Sequence, residues 1–431
     1  MRTRKLPNDR LRALMAEAGL SGAELARAVN ARGAELGFSV SYDRSTVSHW
    51  LTGTRPRPPA GQLLAGVFSQ RLERAVGGIE LGLSDVGQGA FPVGGSACRP
   101  ADDCACASDS ARGLTELLGR HQDPVKLRRL RQLAYRRVQL ADLVGEGGAG
   151  AGRGGPAPAG RCAAVAEIDG VLERYGGGRA RELVVARLQE ALAGPAFEEA
   201  EPAALAAAAG LCRMLGRCWM DELGHGAAQG AFGLALSFGC AARRPVLRAL
   251  VLRDLSVQAL ECGQPAEALV LAEAAVGLGG ALAGPGGRAY LYGQRGVARA
   301  VRGDRCGAFK DIDLAERWAD RGDAECGAYP LGALVHQRAR IHRAQGDVRR
   351  AVSALELSLA LRGPAEHRTR ALLRIELAEL RLVLGEGDGA GELLRLVPSG
   401  MAELRSARVA AGVAALRRRV FVPRRRVVAA R

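Results

Sequence analysis

Apolar positions recur at helical spacing through the first part of the chain. Leu11, Leu14, Met15 and Ala18 fall at i, i+3, i+4 and i+7 within residues 8–18, with Asn8 or Asp9 as a cap and Gly19 as a stop, which is the pattern of a short amphipathic helix. A second helix begins at Ser21, where Glu24 completes a capping box, and it buries Leu25, Ala26 and Val29. A third spans 43–51, with Val47, Trp50 and Leu51 on one face and Gly53 at its end. A fourth spans 62–74 and carries Leu63, Leu64, Val67 and Phe68. These four helices predict one small domain over residues 1–76.

Between 77 and 110, and again between 145 and 160, Gly, Pro, Ser and Ala accumulate without periodicity, so 77–160 reads as a linker. It holds one basic helical stretch at 114–144, broken near Pro124. Helical pattern resumes at Ala163. From there Gly224, Gly263, Gly303, Gly346 and Gly385 mark turns 39, 40, 43 and 39 residues apart, each between two amphipathic helices. Four of these glycines are followed five positions later by an alanine: Ala268, Ala308, Ala351 and Ala390. A helix pair cannot bury its apolar face alone, so pairs at this period predict an α-solenoid of tetratricopeptide-like repeats over 161–400, followed by a C-terminal helix and Arg-rich tail over 401–431. An irregular helical bundle is the alternative.

Composition agrees with an all-α fold. Aromatic residues are only 4% of the 431, and Ala, Leu, Gly and Arg dominate, a mixture that suits helices packed through small side chains better than strands. The formal charge is +16. Residues 1–75 hold twelve Arg and Lys against six Asp and Glu, and 415–431 hold seven Arg and no acid, so the excess sits at the two ends and suits a polyanionic partner. The opening MRTRKLPNDR has no apolar core of a secretory signal, and the best apolar run, 203–212, stops at Arg213, short of the roughly 18–20 residues that a membrane span needs. A soluble cytoplasmic protein with no membrane association is expected. Six of the ten cysteines (Cys212, Cys218, Cys240, Cys262, Cys306, Cys326) lie in helical patterns, where reduced thiols are expected.

The most informative segment is SGAELARAVNARGAELGFSVSYDRSTVSHWLTGTRPRP, residues 21–58. It resembles the helix-turn-helix of the Cro/phage-repressor class, in which the second helix lies in the major groove. That resemblance implies that Arg44, Ser45, Thr46, Ser48 and His49 face DNA while Val47, Trp50 and Leu51 hold the helix in place. Arg44 is placed to pair with guanine, and Arg55 and Arg57 to contact phosphates. One departure is the long connection from Asn30 to Tyr42, which requires either a second helix extended to about Leu36 or a small inserted wing. The plain alternative is an amphipathic helix whose Ser, Thr and Arg are merely solvated.

Together with EIDGVLERYGGGRARELV (167–184) and the degenerate repeats, this segment makes the chain similar to an actinobacterial family of helix-turn-helix regulators of differentiation and secondary metabolism with C-terminal tetratricopeptide-like repeats. The resemblance implies a sequence-specific regulator, of repressor type in some members, whose partners are double-stranded DNA, a protein or peptide in the repeat groove and possible second copies of itself. Two rivals stand beside it: a protein-interaction scaffold without specific DNA binding, and a small-molecule or peptide receptor.

Other signals carry less. Cys98, Cys104 and Cys106 lack a fourth ligand at zinc spacing, and the Gly-rich matches in 145–155 follow no strand. His336 and His342 stand six apart, the wrong spacing for one helix face, and read as surface or inter-helix contacts. No cofactor, metal site or enzymatic activity is expected.

Overall fold

The structure is a computed structural model describing residues 7–35, 40–54, 56, 60–72, 81, 103–137, 143, 163–319, 329–397 and 404–421. It is all-α among these residues and divides into two units, residues 1–90 and 91–431.

The first unit holds α1 (Asp9–Glu17), α2 (Gly22–Glu35), α3 (Arg44–Leu51) and α4 (Ala60–Arg71). Their core is Leu11, Leu14, Leu25, Val29, Val47, Trp50, Leu63, Leu64 and Phe68, joined by Leu81. Asn8 ties the ends together: its Oδ1 accepts from the Leu11 N–H, its own N–H donates to the Leu51 carbonyl, and its Nδ2 donates to the Leu81 carbonyl. The capping box forms as read, with the Glu24 carboxylate accepting from the Ser21 N–H at 2.8 Å and the Ser21 hydroxyl accepting from the Glu24 N–H at 3.3 Å.

In the second unit α5 (Asp103–Gln122) and α6 (Pro124–Arg131) lie against the repeats, where Leu114, Leu117, Leu118 and Leu130 are buried. Then follow α7 (Ala163–Tyr175), α8 (Gly177–Leu192) and the short α9 (Pro195–Glu198). Five helix pairs come next: α10 (Pro202–Asp221) with α11 (His225–Ala241), α12 (Pro245–Glu261) with α13 (Pro265–Gly279), and α14 (Pro285–Val301) with α15 (Arg305–Ala319). The last two are α16 (Leu331–Ala344) with α17 (Val348–Ala360), and α18 (His367–Val383) with α19 (Gly387–Arg395). The final helix is α20 (Ala407–Phe421). This is a helical-repeat array.

The alanine register has one more member than the spacing from the glycines discloses. Gly263, Gly303, Gly346 and Gly385 all have positive φ, but in the first pair that conformation belongs to Leu223 (φ 60°), while Gly224 does not have it. Shifting the first turn by one residue places Ala228 five positions after it, in register with Ala268, Ala308, Ala351 and Ala390. All five alanines are fully buried, as small residues must be where two helices approach closely.

The array also returns on itself. The α18 helix packs on α7, and α20 packs on α18, α19 and α10. Asp221, at 0% exposure, is the hub of this closure. Its carboxylate accepts from the Gly177 N–H (2.7 Å), Arg368 Nε (2.6 Å) and the Ser406 hydroxyl (2.9 Å). The Gly176–Gly178 turn between α7 and α8 is also the seat of the returning chain. A β-carbon at Gly176 would lie 2.6 Å from the Arg405 carbonyl oxygen, and one at Gly177 would lie 2.5 Å from that of Cys218.

Candidate nucleic-acid interface and the charged face of the repeats

The third helix is set by its first residue. Asp43 caps α3 through one oxygen, Oδ1, which accepts from the Thr46 N–H (2.8 Å), the Thr46 hydroxyl (2.6 Å) and the Ser45 hydroxyl (2.8 Å). The Thr46 side chain, then its backbone, then Ser45 hold the exposed Asp43 carboxyl down to about 2. From the other side, Val47 and Trp50 are buried, and Tyr42 meets the Trp50 ring edge-on with centroids 5.2 Å apart. The helix is therefore anchored along one face and capped at its start.

Its other face is open. Arg44, Ser45, Ser48 and His49 are exposed, and Thr46 is half-buried. Four of the five residues assigned to DNA contact on this helix thus share a solvent-facing surface. Thr46 and Ser45 differ from the expectation in one respect: their hydroxyl protons are engaged by Asp43, so each offers a partner only its lone pairs. Arg55 and Arg57 lie outside the described residues, as does Cys98; the side chains of Cys104 and Cys106 also fall outside them.

The long connection before α3 is resolved in part. The α2 helix runs on to Glu35, as one of the two sequence options required. Its later turns supply Asn30, whose side chain donates to the Tyr42 carbonyl and accepts from the Tyr42 N–H, both at 2.8 Å. A single amide thus clamps the backbone that enters α3, a role that sequence spacing did not reveal because its partner is twelve residues away.

In the second unit, the first helices of the pairs share a charged side that no sequence motif announced. Arg213 on α10 and Arg253 on α12 both bind the buried Asp254, at 2.6 and 3.0 Å. Burial raises the Asp254 carboxyl, but the two guanidinium groups outweigh it and the net shift is downward. Arg217 reaches Asp169 on α7 at 2.7 Å, and Arg408 on α20 reaches Glu261 on α12 at 2.9 Å. His336 on α16 meets Glu376 on α18 at 3.0 Å, and Arg343 meets Glu379 at 3.0 Å. Burial favours the neutral Glu376 acid, yet His336 and then Arg340 bring it down to about 2. The two histidines singled out from sequence make inter-helix and local contacts: His336 as above, and His342 with Asp347 at 3.9 Å.

Cysteines Cys212 and Cys218 are buried, and burial pushes the Cys218 thiol up to about 12; neither is poised as a nucleophile. Among the described residues there is no group of three His, Cys, Asp or Glu that could hold a metal ion, and no helix long and apolar enough to cross a membrane.

Fold and site together define an all-α helical-repeat protein with a small helical unit before it. Residues 11–84, which cover the first unit from α1 to beyond α4, are similar to the SP15 N-terminal domain. No curated protein matches the chain. Among solved structures, the crystal structure of the APC/C hetero-tetramer Cut9-Hcn1 is similar over 59% of this chain at 14% identity and a TM-score of 0.34. The match covers 46% of that chain, so this protein spans less than half its length. The repeat assignment here rests on the pairing and register of the helices themselves.

Proposed function

We propose that this protein is a cytoplasmic helical-repeat scaffold for protein or peptide partners, brought to double-stranded DNA by its first unit and so acting as a sequence-specific transcriptional regulator. Catalysis forms no part of this function. The scaffold half is supported by the paired array and by apolar side chains left in water at one corner of it. Leu331 begins α16, and its neighbour Gly332 meets Leu361 next to α17, while Leu357 stands one turn before Leu361; all three leucines are exposed. Exposed apolar clusters of this kind mark interaction surfaces.

The DNA half rests on a single observation: the eight-residue α3 has one face seated in a core and the other presenting Arg44, Ser45, Ser48 and His49 to solvent. A short helix fixed in this way can enter a major groove with its N-terminal residues at base edges. A dimer of the chain would offer two such helices to half-sites about 34–36 Å apart. The net charge of +16 adds non-specific attraction to phosphate.

Genome-wide footprinting of the full chain, beside a copy carrying Arg44→Ala and His49→Ala, tests the DNA half. A sequence motif shared by the wild-type sites and lost in the double variant is the expected result. Absence of any motif with the wild-type chain would leave the scaffold half standing alone.

A further inference from the structure

After α6 the chain leaves the helix and lies across the second helices of the first two repeat pairs, where residues 133–137 are held by their main chain. The Leu133 carbonyl accepts from the Gly226 N–H on α11 at 3.2 Å. Three residues on, the Gln229 side chain clamps Arg136: its Nε2 donates to the Arg136 carbonyl at 2.6 Å, and its Oε1 accepts from the Arg136 N–H at 2.9 Å. An amide that takes both main-chain groups of one residue holds a backbone whatever side chain it carries, as a neighbouring strand does.

Side chains add selectivity. Leu133 and Tyr135 are half-buried against the repeat core, whereas Ala134 and Arg136 are exposed, the alternation of an extended peptide laid on a surface. The Tyr135 hydroxyl donates to Glu267 on α13 at 2.6 Å, and Arg137 reaches the other oxygen of that carboxylate at 4.0 Å. Burial, then Glu267, pushes the phenol above its ordinary value, so it remains a donor.

This seat is particular to the first pair. Gly226 stands three positions after the turn residue Leu223, and a β-carbon there would lie 2.5 Å from the Leu133 carbonyl oxygen; the later pairs carry Ala266, Cys306, Arg349 and Asp388 at that place. Gln229, only 2% exposed, stands six positions after the turn, where the later pairs carry Leu269, Phe309, Val352 and Gly391. The repeat itself therefore requires neither the bare Gly226 nor the amide. A buried amide with no backbone to meet would be costly, so the first pair is built to hold one. Every contact named is one that an untethered peptide could make.

We propose that this surface of α11 and α13 is a binding site for an extended peptide that presents leucine, then tyrosine two residues on, then arginine two residues further, filled in cis by residues 133–137 and open to a partner protein carrying the same pattern. The site deepens the scaffold half of the reading above and rests on it, but it lies on helices other than those of the Leu331 corner.

The experiment is fluorescence polarisation of a labelled peptide of residues 130–137 against the full chain. In the wild type the tethered copy competes at an effective concentration on the order of millimolar, so the peptide binds weakly. Leu133→Ala with Tyr135→Ala loosens the tethered copy and is expected to tighten peptide binding by at least about tenfold; Tyr135→Ala alone serves should that chain fail to fold. Gln229→Ala added to it abolishes the gain. Phenylalanine in place of the peptide's tyrosine reduces the gain, and serves in place of Gln229→Ala should that chain not fold. No gain with the loosened chain, or a gain that survives Gln229→Ala, or the phenylalanine peptide where that serves, overturns the proposal. Such a result strikes this site alone, because the scaffold reading stands on the exposed Leu331, Leu357 and Leu361.

Discussion

Leu223 holds a left-handed backbone conformation that glycine holds at the four later turns of the array. A β-carbon makes that conformation costly, whereas Gly224 beside it is needed for a different reason: a side chain there would strike the Trp219 ring at 2.7 Å. Leu223→Gly is therefore expected to stabilise the protein by about 1 kcal/mol, read as a shift of the urea midpoint at unchanged slope. His121 carries a second residue-scale consequence. Its Nδ1 lies 2.8 Å from the Leu117 carbonyl and its Nε2 accepts from the Trp219 indole at 3.2 Å, so the neutral tautomer with hydrogen on Nδ1 fits both bonds. Burial, partly offset by the Leu117 carbonyl, lowers its ionisation to about 4 from 6.5. Above about pH 6.5 its contribution is complete. Between 6.5 and 4 the unfolded chain takes up a proton that the folded chain refuses, so stability falls with falling pH by about 2–3 kcal/mol. Unfolding curves across that window are expected to flatten in His121→Gln, which keeps an acceptor but does not titrate; an unchanged slope would assign the acid sensitivity elsewhere. Neither residue was legible in the sequence, because Leu223 hides behind the glycine next to it and the partner of His121 is remote along the chain.

Elements were more legible than their ends. The four N-terminal helices, the capping box at Ser21 and the helix pairs follow from local periodicity and caps, which the sequence displays directly. The extension of α2 to Glu35 was one of two options, and Asn30 accounts for it by holding Tyr42 across the connection. The cap on α3 has a functional consequence: Asp43→Ala removes the oxygen that fixes the first turn of α3, so DNA affinity is expected to fall while its salt slope stays unchanged. Arg44→Ala should instead relax base preference, at about 1–3 kcal/mol in discrimination. The closing segment was the least legible element, since Asp221, Arg368 and Ser406 meet only after the array has turned through five pairs. Asp221→Ala leaves Arg368 short of its buried partner, so a loss of about 3–5 kcal/mol is expected. Protease sensitivity at residues 404–406 should rise as well, whereas Ser406→Ala should cost about 1 kcal/mol. Equal stability of the Asp221 variant and wild type would mean that the closure does not hold the array.

At the scale of the whole molecule, two kinds of charge do different work. The excess at the chain ends is visible in composition and speaks to attraction for a polyanion. The ion pairs of the repeats are nearly balanced and could not be read from composition, because they join α7, α10, α12, α18 and α20 across up to two hundred residues. The solenoid itself was legible from its period, while its charged side and its return were not, since both depend on curvature that no single repeat encodes.

Whether α3 carries the scaffold to specific DNA is decided by binding of the full chain to a footprinted site, followed by fluorescence anisotropy from 50 to 200 mM salt (roughly the range over which phosphate contacts are titrated away). The wild type is expected to prefer that site over a scrambled duplex throughout the range, and Arg44→Ala with His49→Ala to remove the preference while leaving the weak, salt-dependent affinity. Equal affinity of the wild type for both duplexes, or a preference that survives the double substitution, would contradict it.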